Sequence, residues 1–206
     1  MEVSIDRVLH RARSHLLESA DIKVQTADRC LESIGNTAEM IAMSLRSDGK
    51  ILLCGNGGSA ADCQHLATEF TSVMQRDFYR PGIPAIALTT DTSYLTGFSN
   101  DFGYERLFER QVQTLGKQGD VLIAISTSGE SPSIVYAVKA AIDLGIRTIA
   151  LTGSEGQLAS IANLAIAVPS ADTQLIQEAH IAIEHALCDL VECLLFDKAE
   201  QMGGID

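Results

Sequence analysis

The chain has 206 residues, of which 46% are hydrophobic, and a formal net charge of -12 at pH 7. This length and apolar content suffice to bury one sizeable core, so we predict a single domain over residues 1–206. The acidic charge, without any run of Lys or Arg, argues against a nucleic acid partner and favours a small-molecule substrate.

The lack of a signal-peptide pattern and the number and spacing of the cysteines both indicate a reducing compartment. No 18 apolar residues run together and the N-terminus lacks the apolar core of a signal peptide, so we expect a cytoplasmic protein with no membrane partner. The cysteines are odd in number and show no C-x-x-C spacing, which argues against a disulfide framework and a thiolate zinc site. We expect all five to be reduced and most to be buried: Cys30, Cys54, Cys63, Cys188 and Cys193.

Residues 1–48 are predicted to form an N-terminal helical layer. The stretch from Ile5 to Arg46 has helical periodicity and few breakers. The segment "IGN" at Ile34 to Asn36 predicts a break, and therefore two helices rather than one.

Five short apolar runs follow, each bounded by turn residues and separated by helical stretches. They are "KILLC" ending at Cys54, "PAIAL" at Leu88, "DVLIAIS" at Ser126, "RTIAL" at Leu151 and "LAIAV" at Val168. Such alternation predicts an α/β fold with a parallel five-stranded sheet and flanking helices. The stretch from Thr173 to Glu200 contains no Gly or Pro and predicts one long C-terminal helix.

The first strand runs into a glycine turn, "CGNGGSAA". Gly55, Gly57 and Ala60 satisfy the G-x-G-x-x-G/A pattern of dinucleotide-binding proteins, which is weak evidence by itself. That pattern also needs an acidic residue about 20 positions further on to bind the ribose. The first acid after the next strand is Asp91, 36 residues beyond Gly55. The fingerprint is incomplete, and we do not favour a nicotinamide cofactor.

The third strand runs into a serine turn, "STSGES", which leads into a helix with Pro132 in its first turn. The free N–H groups of a helix start can bind a phosphate together with hydroxyls, here those of Ser126, Thr127, Ser128 and Ser131. The simpler interpretation is a turn that caps its own helix. Four hydroxyls in six residues exceed what capping needs, which favours a phosphate site.

Polar clusters lie on two predicted helices. His65 and Glu69 are four residues apart and share a helix face, although surface pairs of this kind are usually inert. The C-terminal helix adds polar groups beside an apolar stripe, where metal ligands and acid–base groups are found: Gln177, His180, Glu184 and His185. Either histidine there can also be a hydrogen-bonded core residue. Two clusters and two phosphate-type turns in one short chain favour a functional site.

Five segments, in this order along the chain, resemble the phosphoheptose isomerase family of the sugar isomerase (SIS) fold. They are "CGNGGSAADCQHLATEF", "ALTTDTS", "SNDFGYE", "ISTSGES" and "IQEAHIAIEH". The resemblance implies a homotetramer whose active sites lie between subunits. It also implies the conversion of sedoheptulose 7-phosphate to D-glycero-D-manno-heptose 7-phosphate, which supplies heptose precursors for lipopolysaccharide or other surface glycans.

The resemblance implies the residues of the site as well. The sugar phosphate would contact Asn56, Gly57, Gly58, Ser59, Glu69, Asn100, Asp101 and Gln177, with its phosphate on Ser126, Thr127, Ser128 and Ser131. A zinc ion would bind His65, Glu69, Gln177 and His185. Glu69 and His185 would share the acid and base roles of an isomerisation through an enediol.

The spacing of Gln177 and His185 raises a geometric question. Eight residues are about 12 Å along a regular helix, which is far for two ligands of one ion. Either Gln177 precedes the regular helix, or the two side chains serve sites that different subunits complete.

Two departures from the family pattern and one relative leave alternatives open. Ser72 to Met74 replace a frequent Gly-Arg-Tyr, so Arg76 and Arg80 are the nearest candidates for an arginine role. Glu130 replaces a frequent asparagine, and we expect its carboxylate to point outward. The same fold also resembles a replication-initiator-associating protein that binds a partner and lacks the catalytic glutamate and histidine. Their presence here favours an enzyme, and another phosphosugar stays open as its ligand.

Overall fold

The structure, a computed structural model, describes residues 4–196. Its elements are α1 (Ile5–Arg46), β1 (Ile51–Gly55), α2 (Gly58–Thr71), β2 (Ala85–Ala87), α3 (Thr92–Phe102), a 3-10 turn (Tyr104–Arg106), α4 (Leu107–Leu115), β3 (Val121–Ser126), α5 (Pro132–Asp143), β4 (Arg147–Thr152), α6 (Leu158–Ile161), β5 (Leu164–Ala167) and α7 (Thr173–Phe196). The five predicted strands and the long C-terminal helix are confirmed. The last four residues predicted for that helix, 197–200, lie outside the described part of the chain.

The strands form one parallel sheet in the order β2-β1-β3-β4-β5. Strand β1 pairs with β2 on one side, where Ile51 lies opposite Ala85, and with β3 on the other, where Ile51 lies opposite Val121. The direction of winding therefore reverses between β1 and β3. In open α/β sheets such a switch point forms a crevice outside the carboxyl ends of the strands, where ligands bind. The glycine turn after β1 and the serine turn after β3 both lie at this crevice.

Helices cover both faces of the sheet. Successive side chains of a strand point to opposite faces, so Leu53 and Ile123 pack with α1, α2 and α7, while Leu52 and Leu122 pack with α4 and α5. Every residue of β1 and β3 is buried. A strand that is covered on both faces needs no polar alternation, which explains the continuous apolar runs in the sequence.

The predicted break in the N-terminal layer is wrong, because α1 is one helix of 42 residues. Gly35 lies inside it, and a Cβ atom there would meet nothing within 4 Å. Glycine in a helix costs only about 1 kcal/mol relative to alanine. Helix α1 packs along α7, and its residues Cys30, Ile34 and Ala38, which lie before and after Gly35, are buried in the core. Burial of this face outweighs the local preference of "IGN" for a turn.

Within the described residues the five cysteines form no disulfide, and the expectation that most of them are buried is confirmed. Four are buried and Cys193 is partly exposed. Burial raises the pKa of the Cys63 thiol well above its usual value, so this thiol is not reactive near neutral pH. Among residues 4–196, no helix is both long and apolar enough to span a membrane.

Candidate active site at the β1/β3 switch point

The glycine turn brings its main chain against the start of α2. A Cβ atom on Gly55 would lie 2.5 Å from the carbonyl oxygen of Ser59, so no larger residue fits there. Gly57, with a φ of 57°, is the N-cap residue of α2, and because it has no side chain it supplies no capping hydrogen bond. Because the first N–H groups of a helix have no partner inside it, this end of α2 can bind an anion. Ser59, which the resemblance assigns to the sugar, is only 3% exposed and lies beneath the turn.

Asn56 connects the glycine turn to two other segments through its side-chain amide. Its Nδ2 donates to Ser133 Oγ on α5 at 3.0 Å, and its Oδ1 accepts from the Tyr104 hydroxyl at 2.7 Å. The glycine turn, the start of α5 and the 3-10 turn before α4 therefore meet at one side chain.

Hydroxyls of the serine turn converge at the end of β3. Ser126 Oγ donates to Ser131 Oγ at 3.2 Å and lies 3.5 Å from Ser128 Oγ. Ser131 is the N-cap residue of α5, yet its side chain makes no capping hydrogen bond. Ser128 Oγ does serve the turn, because it accepts from the Glu130 N–H at 3.2 Å. Capping thus explains part of this cluster but not the Ser131 hydroxyl.

A cavity of about 340 Å³ adjoins the serine turn at the carboxyl ends of β3, β4 and β5. Its lining includes Thr127 and Ser128 from the turn and Glu130 beside them. Glu130 is exposed, but it lines this cavity rather than pointing simply outward. Both of its carboxylate oxygens accept from Gln157, from the backbone N–H at 2.8 Å and from Nε2 at 2.7 Å. These two hydrogen bonds hold the negatively charged carboxylate of Glu130 against Gln157.

Helices α2 and α7 bring His65, Glu69 and His185 together. The Nε2 atoms of His65 and His185 are 2.8 Å apart, and the rings meet edge to face at a centroid distance of 5.0 Å. Glu69 Oε1 lies 4.0 Å from His65 Nε2. One of the facing nitrogens must donate and the other accept, so only one of them carries the shared proton. The side chains of His65 and Glu69 are 39% and 18% exposed, so a small molecule can reach them.

Gln177 does not join this cluster. It lies inside regular helix α7, so the interpretation that it precedes the helix is wrong. Its amide packs on Gly58, where any Cβ atom would collide with it. Gly58 is seven residues, about 10 Å, before His65 along α2. Within residues 4–196, no three His, Cys, Asp or Glu side chains form a group that could hold a metal ion. The chain therefore presents Gln177 at one place and the histidines at another.

Asn100 and Asp101 lie in the exposed last turn of α3. Asn100 Nδ2 donates to Asp101 Oδ1 at 2.9 Å. No residue of α3 is buried. Tyr94, Leu95 and Phe98 pack the other side of α3 against the core, so the two side chains are available to a ligand or to another subunit on its exposed side.

His180 and Glu184 belong to the core rather than to the reactive cluster. His180 Nε2 faces the Thr152 carbonyl oxygen at 3.3 Å, and burial lowers its pKa to about 4. Glu184 is fully buried, and neither of its carboxyl oxygens has a hydrogen-bond partner within the described chain. Burial, and then the charge of Asp62, raise the pKa of Glu184 to about 9. Both pKa shifts favour the neutral form at pH 7, whereas His185 is exposed and faces His65.

Arg80 supports the site without touching the crevice. Its guanidinium pairs with Glu192 on α7 at 2.8 Å, and both side chains are almost fully buried. It also donates to the carbonyl oxygens of Glu69 and Phe70 at 2.8 Å and of Ser72 at 2.9 Å, which end α2. Arg80 thus caps the helix that carries His65 and Glu69. The sequence offers no signal for this pair because its members are 112 residues apart.

Comparison with known proteins agrees with this geometry. The fold and the two turns define an SIS domain, and the family model described as SIS domain matches residues 16–153. A phosphoheptose isomerase of Roseiflexus sp. (strain RS-1) is 50% identical over 181 residues, which cover 87% of this chain and 91% of that protein.

Two solved structures show the same likeness. A phosphoheptose isomerase from Neisseria gonorrhoeae superposes with a TM-score of 0.84 at 42% identity, covering 90% of this chain and 98% of that one. The enzyme from Francisella tularensis gives a TM-score of 0.85 at 37% identity, covering 89% and 97%. The chain belongs to the phosphoheptose isomerase family of SIS domain proteins.

Proposed function

We propose that this protein is an aldose–ketose isomerase that converts sedoheptulose 7-phosphate to D-glycero-D-manno-heptose 7-phosphate. The observation that carries the proposal is the cluster of His65, Glu69 and His185, where an imidazole and a carboxylate meet within reach of solvent. The relatives named phosphoheptose isomerase support the choice of sugar. The product would be a heptose precursor for lipopolysaccharide or other surface glycans.

The serine turn is the proposed phosphate site. The Ser131 hydroxyl, which makes no capping hydrogen bond, and the Ser133 N–H in the first turn of α5 are neutral donors at the carboxyl end of a buried strand. Such donors bind a phosphate dianion through charge-assisted hydrogen bonds and need no lysine or arginine. Asn56, Gly57 and Gly58 lie across the switch point and would contact the sugar chain.

The chemistry requires one base and one acid. A base removes a proton from C1 of the ketose while an acid protonates the carbonyl oxygen on C2, which gives an enediol. C2 then takes up a proton and the C1 hydroxyl releases one, which leaves the aldose and restores both groups. We assign these roles jointly to Glu69 and His185. His65 orients the His185 ring through the contact between their Nε2 atoms.

We propose zinc as the cofactor, one ion per subunit. Nitrogen and oxygen donors suit zinc, and His65, Glu69 and His185 lie close together; to bind the ion, the two Nε2 atoms would exchange their mutual hydrogen bond for the metal and the Glu69 carboxylate would move closer. We infer that Gln177 completes the set from a neighbouring copy, since within one chain its amide packs on Gly58 at the start of α2. A bound zinc ion would polarise the carbonyl of the substrate as a Lewis acid.

We further propose a cytoplasmic homotetramer whose sites lie between subunits. Helix α1 leaves Leu17, Val24 and Leu31 at 52%, 60% and 70% exposure. These residues are seven positions apart, a spacing at which helices of neighbouring subunits pack along a shared seam. Contiguous exposed apolar surface of this kind marks interaction sites. The net charge of -12 disfavours a nucleic acid partner.

The proposal is tested by incubating the protein with sedoheptulose 7-phosphate and, separately, with ketose phosphates of five and six carbons, and by identifying the products by NMR. Turnover should be fastest with the seven-carbon sugar. Glu69→Gln and His185→Gln should remain folded oligomers and lose at least about 100-fold in turnover. Near-normal turnover in both variants would refute the acid–base assignment. A protein that only binds a partner protein would turn over none of these sugars.

A further inference from the structure

Tyr104 contacts the glycine turn from a distant part of the chain. It lies in the 3-10 turn that follows α3, 48 residues after Asn56, and its hydroxyl donates to Asn56 Oδ1 at 2.7 Å. The Tyr104 residue remains 50% exposed, and its ring is 6.5 Å from that of Phe108, centroid to centroid. Little of the side chain is buried, so packing alone does not account for its position.

The amide of Asn56 keeps part of its hydrogen-bonding capacity free. A side-chain amide offers two N–H donors and two acceptor positions on its oxygen. One donor is used by Ser133 Oγ and one acceptor position by Tyr104, which leaves one donor and one acceptor. A sugar hydroxyl both donates and accepts, so it matches this remaining pair. With anchors at both ends, the plane of the amide is held before a ligand arrives.

We propose that Tyr104 is a positioning residue for the substrate, because its hydroxyl fixes the plane of the Asn56 amide against one hydroxyl of the sugar. The identity of that sugar rests on the proposed function. The contact itself also ties the glycine turn to the end of α3, which carries Asn100 and Asp101. Tyr104 therefore sets the relation between two segments that would both contact the sugar.

Tyr104→Phe removes the anchor while retaining the ring. A neutral hydrogen bond contributes about 0.5–1.5 kcal/mol net, so KM for sedoheptulose 7-phosphate should rise about 2- to 10-fold. The chemical step uses other residues, so kcat should fall less than about 2-fold. The matched control is Tyr94→Phe, since the Tyr94 hydroxyl donates to the Leu107 carbonyl at 3.0 Å and does not touch Asn56. It should keep the parental KM even if its stability is lower.

An NMR measurement separates this inference from the proposed function. The sequence contains four asparagines, so a sample labelled with 15N only at asparagine shows four side-chain amide pairs: Asn36, Asn56, Asn100 and Asn163. The Asn56 pair is identified by its absence from Asn56→Asp. It should move in Tyr104→Phe and stay in place in Tyr94→Phe, with Asn36 and Asn163 as references.

The outcomes are distinguishable. If the parent protein fails to isomerise sedoheptulose 7-phosphate, the proposed function fails, and the amide comparison still decides whether Tyr104 fixes the Asn56 amide. An Asn56 amide pair that stays unmoved in Tyr104→Phe overturns the inference. An equal rise of KM in both tyrosine variants overturns it as well, because the effect would then be structural.

Discussion

The buried pair of Arg80 and Glu192 should stabilise the protein far more than an ordinary surface ion pair. Their side chains are 1% and 0% exposed, and they join the end of α2 to α7. Removing one partner of a buried pair costs about 3–5 kcal/mol, because the remaining buried charge loses an oppositely charged neighbour. We therefore expect Arg80→Met and Glu192→Leu each to lower the free energy of unfolding by this amount.

The two single variants should differ in a defined direction. Arg80 also donates to four backbone carbonyl oxygens, those of Glu69, Phe70, Ser72 and Pro81. Glu192→Leu keeps these bonds, whereas Arg80→Met loses them; the Phe70 carbonyl oxygen then keeps the Ile83 N–H at 3.0 Å, but those of Glu69 and Ser72 lose the donor that Arg80 supplies. Each buried acceptor left unpaired costs about 1–3 kcal/mol. Arg80→Met should therefore be the more destabilised variant.

A double-mutant cycle by urea denaturation, at one fixed chain concentration, measures the interaction itself. The double variant should be more stable than the sum of the single losses predicts, with a coupling energy of at least about 2 kcal/mol. The matched control is the exposed pair of Arg106 and Glu109, in which Nη1 lies 2.8 Å from Oε2 and the arginine side chain is 58% exposed. Its coupling should stay below about 1 kcal/mol. Equal coupling in the two cycles would refute the reasoning.

Three further predictions concern the phosphate, the buried histidine and the metal. Ser131→Ala should weaken binding of the phosphorylated sugar about 10- to 100-fold, as measured by calorimetry. Thermal stability should barely change, because this hydroxyl makes no capping hydrogen bond to α5. A loss of stability without a loss of affinity would contradict the prediction. Folding lowers the pKa of His180 from 6.5 to about 4. As the pH falls, the unfolded chain therefore protonates this histidine at a higher pH than the folded chain does, and the free energy of unfolding decreases between these two pKa values. Between pH 7 and pH 5, His180→Gln should lose about 2 kcal/mol less stability in urea than the parent, and equal losses would contradict this prediction. Zinc analysis of protein purified without chelator should show a site that saturates near one ion per chain and is lost in His65→Ala; no saturable site would remove zinc from the proposal.

Local sequence signals determined most of the elements. The apolar runs and the turns that bound them predicted all five strands, because a strand covered on both faces requires an unbroken apolar stretch. The long run without Gly or Pro predicted α7 in the same way. Only Gly35 misled, since its preference for a turn is small compared with the burial of the helix faces on either side of it.

The parts of the site that are continuous in sequence were also determined by the sequence. The glycine turn and the serine turn each follow directly from a strand that ends at a helix start. Their residue types indicate their chemistry: Gly57 permits a positive φ, Gly55 permits a close approach of the main chain, and Ser126 and Ser131 bring two hydroxyls together.

The relations between distant residues were decided by the tertiary structure alone. The packing of α2 on α7 brings His65 to His185 and keeps Gln177 at Gly58, and it pairs Arg80 with Glu192. Periodicity places a residue on a helix face but does not say which face of another helix it meets. Burial likewise separates neutral His180 and Glu184 from exposed His185, although all three are polar residues within six positions of one helix. The reason is physical: contact and desolvation depend on which elements pack together, and that choice depends on the whole core.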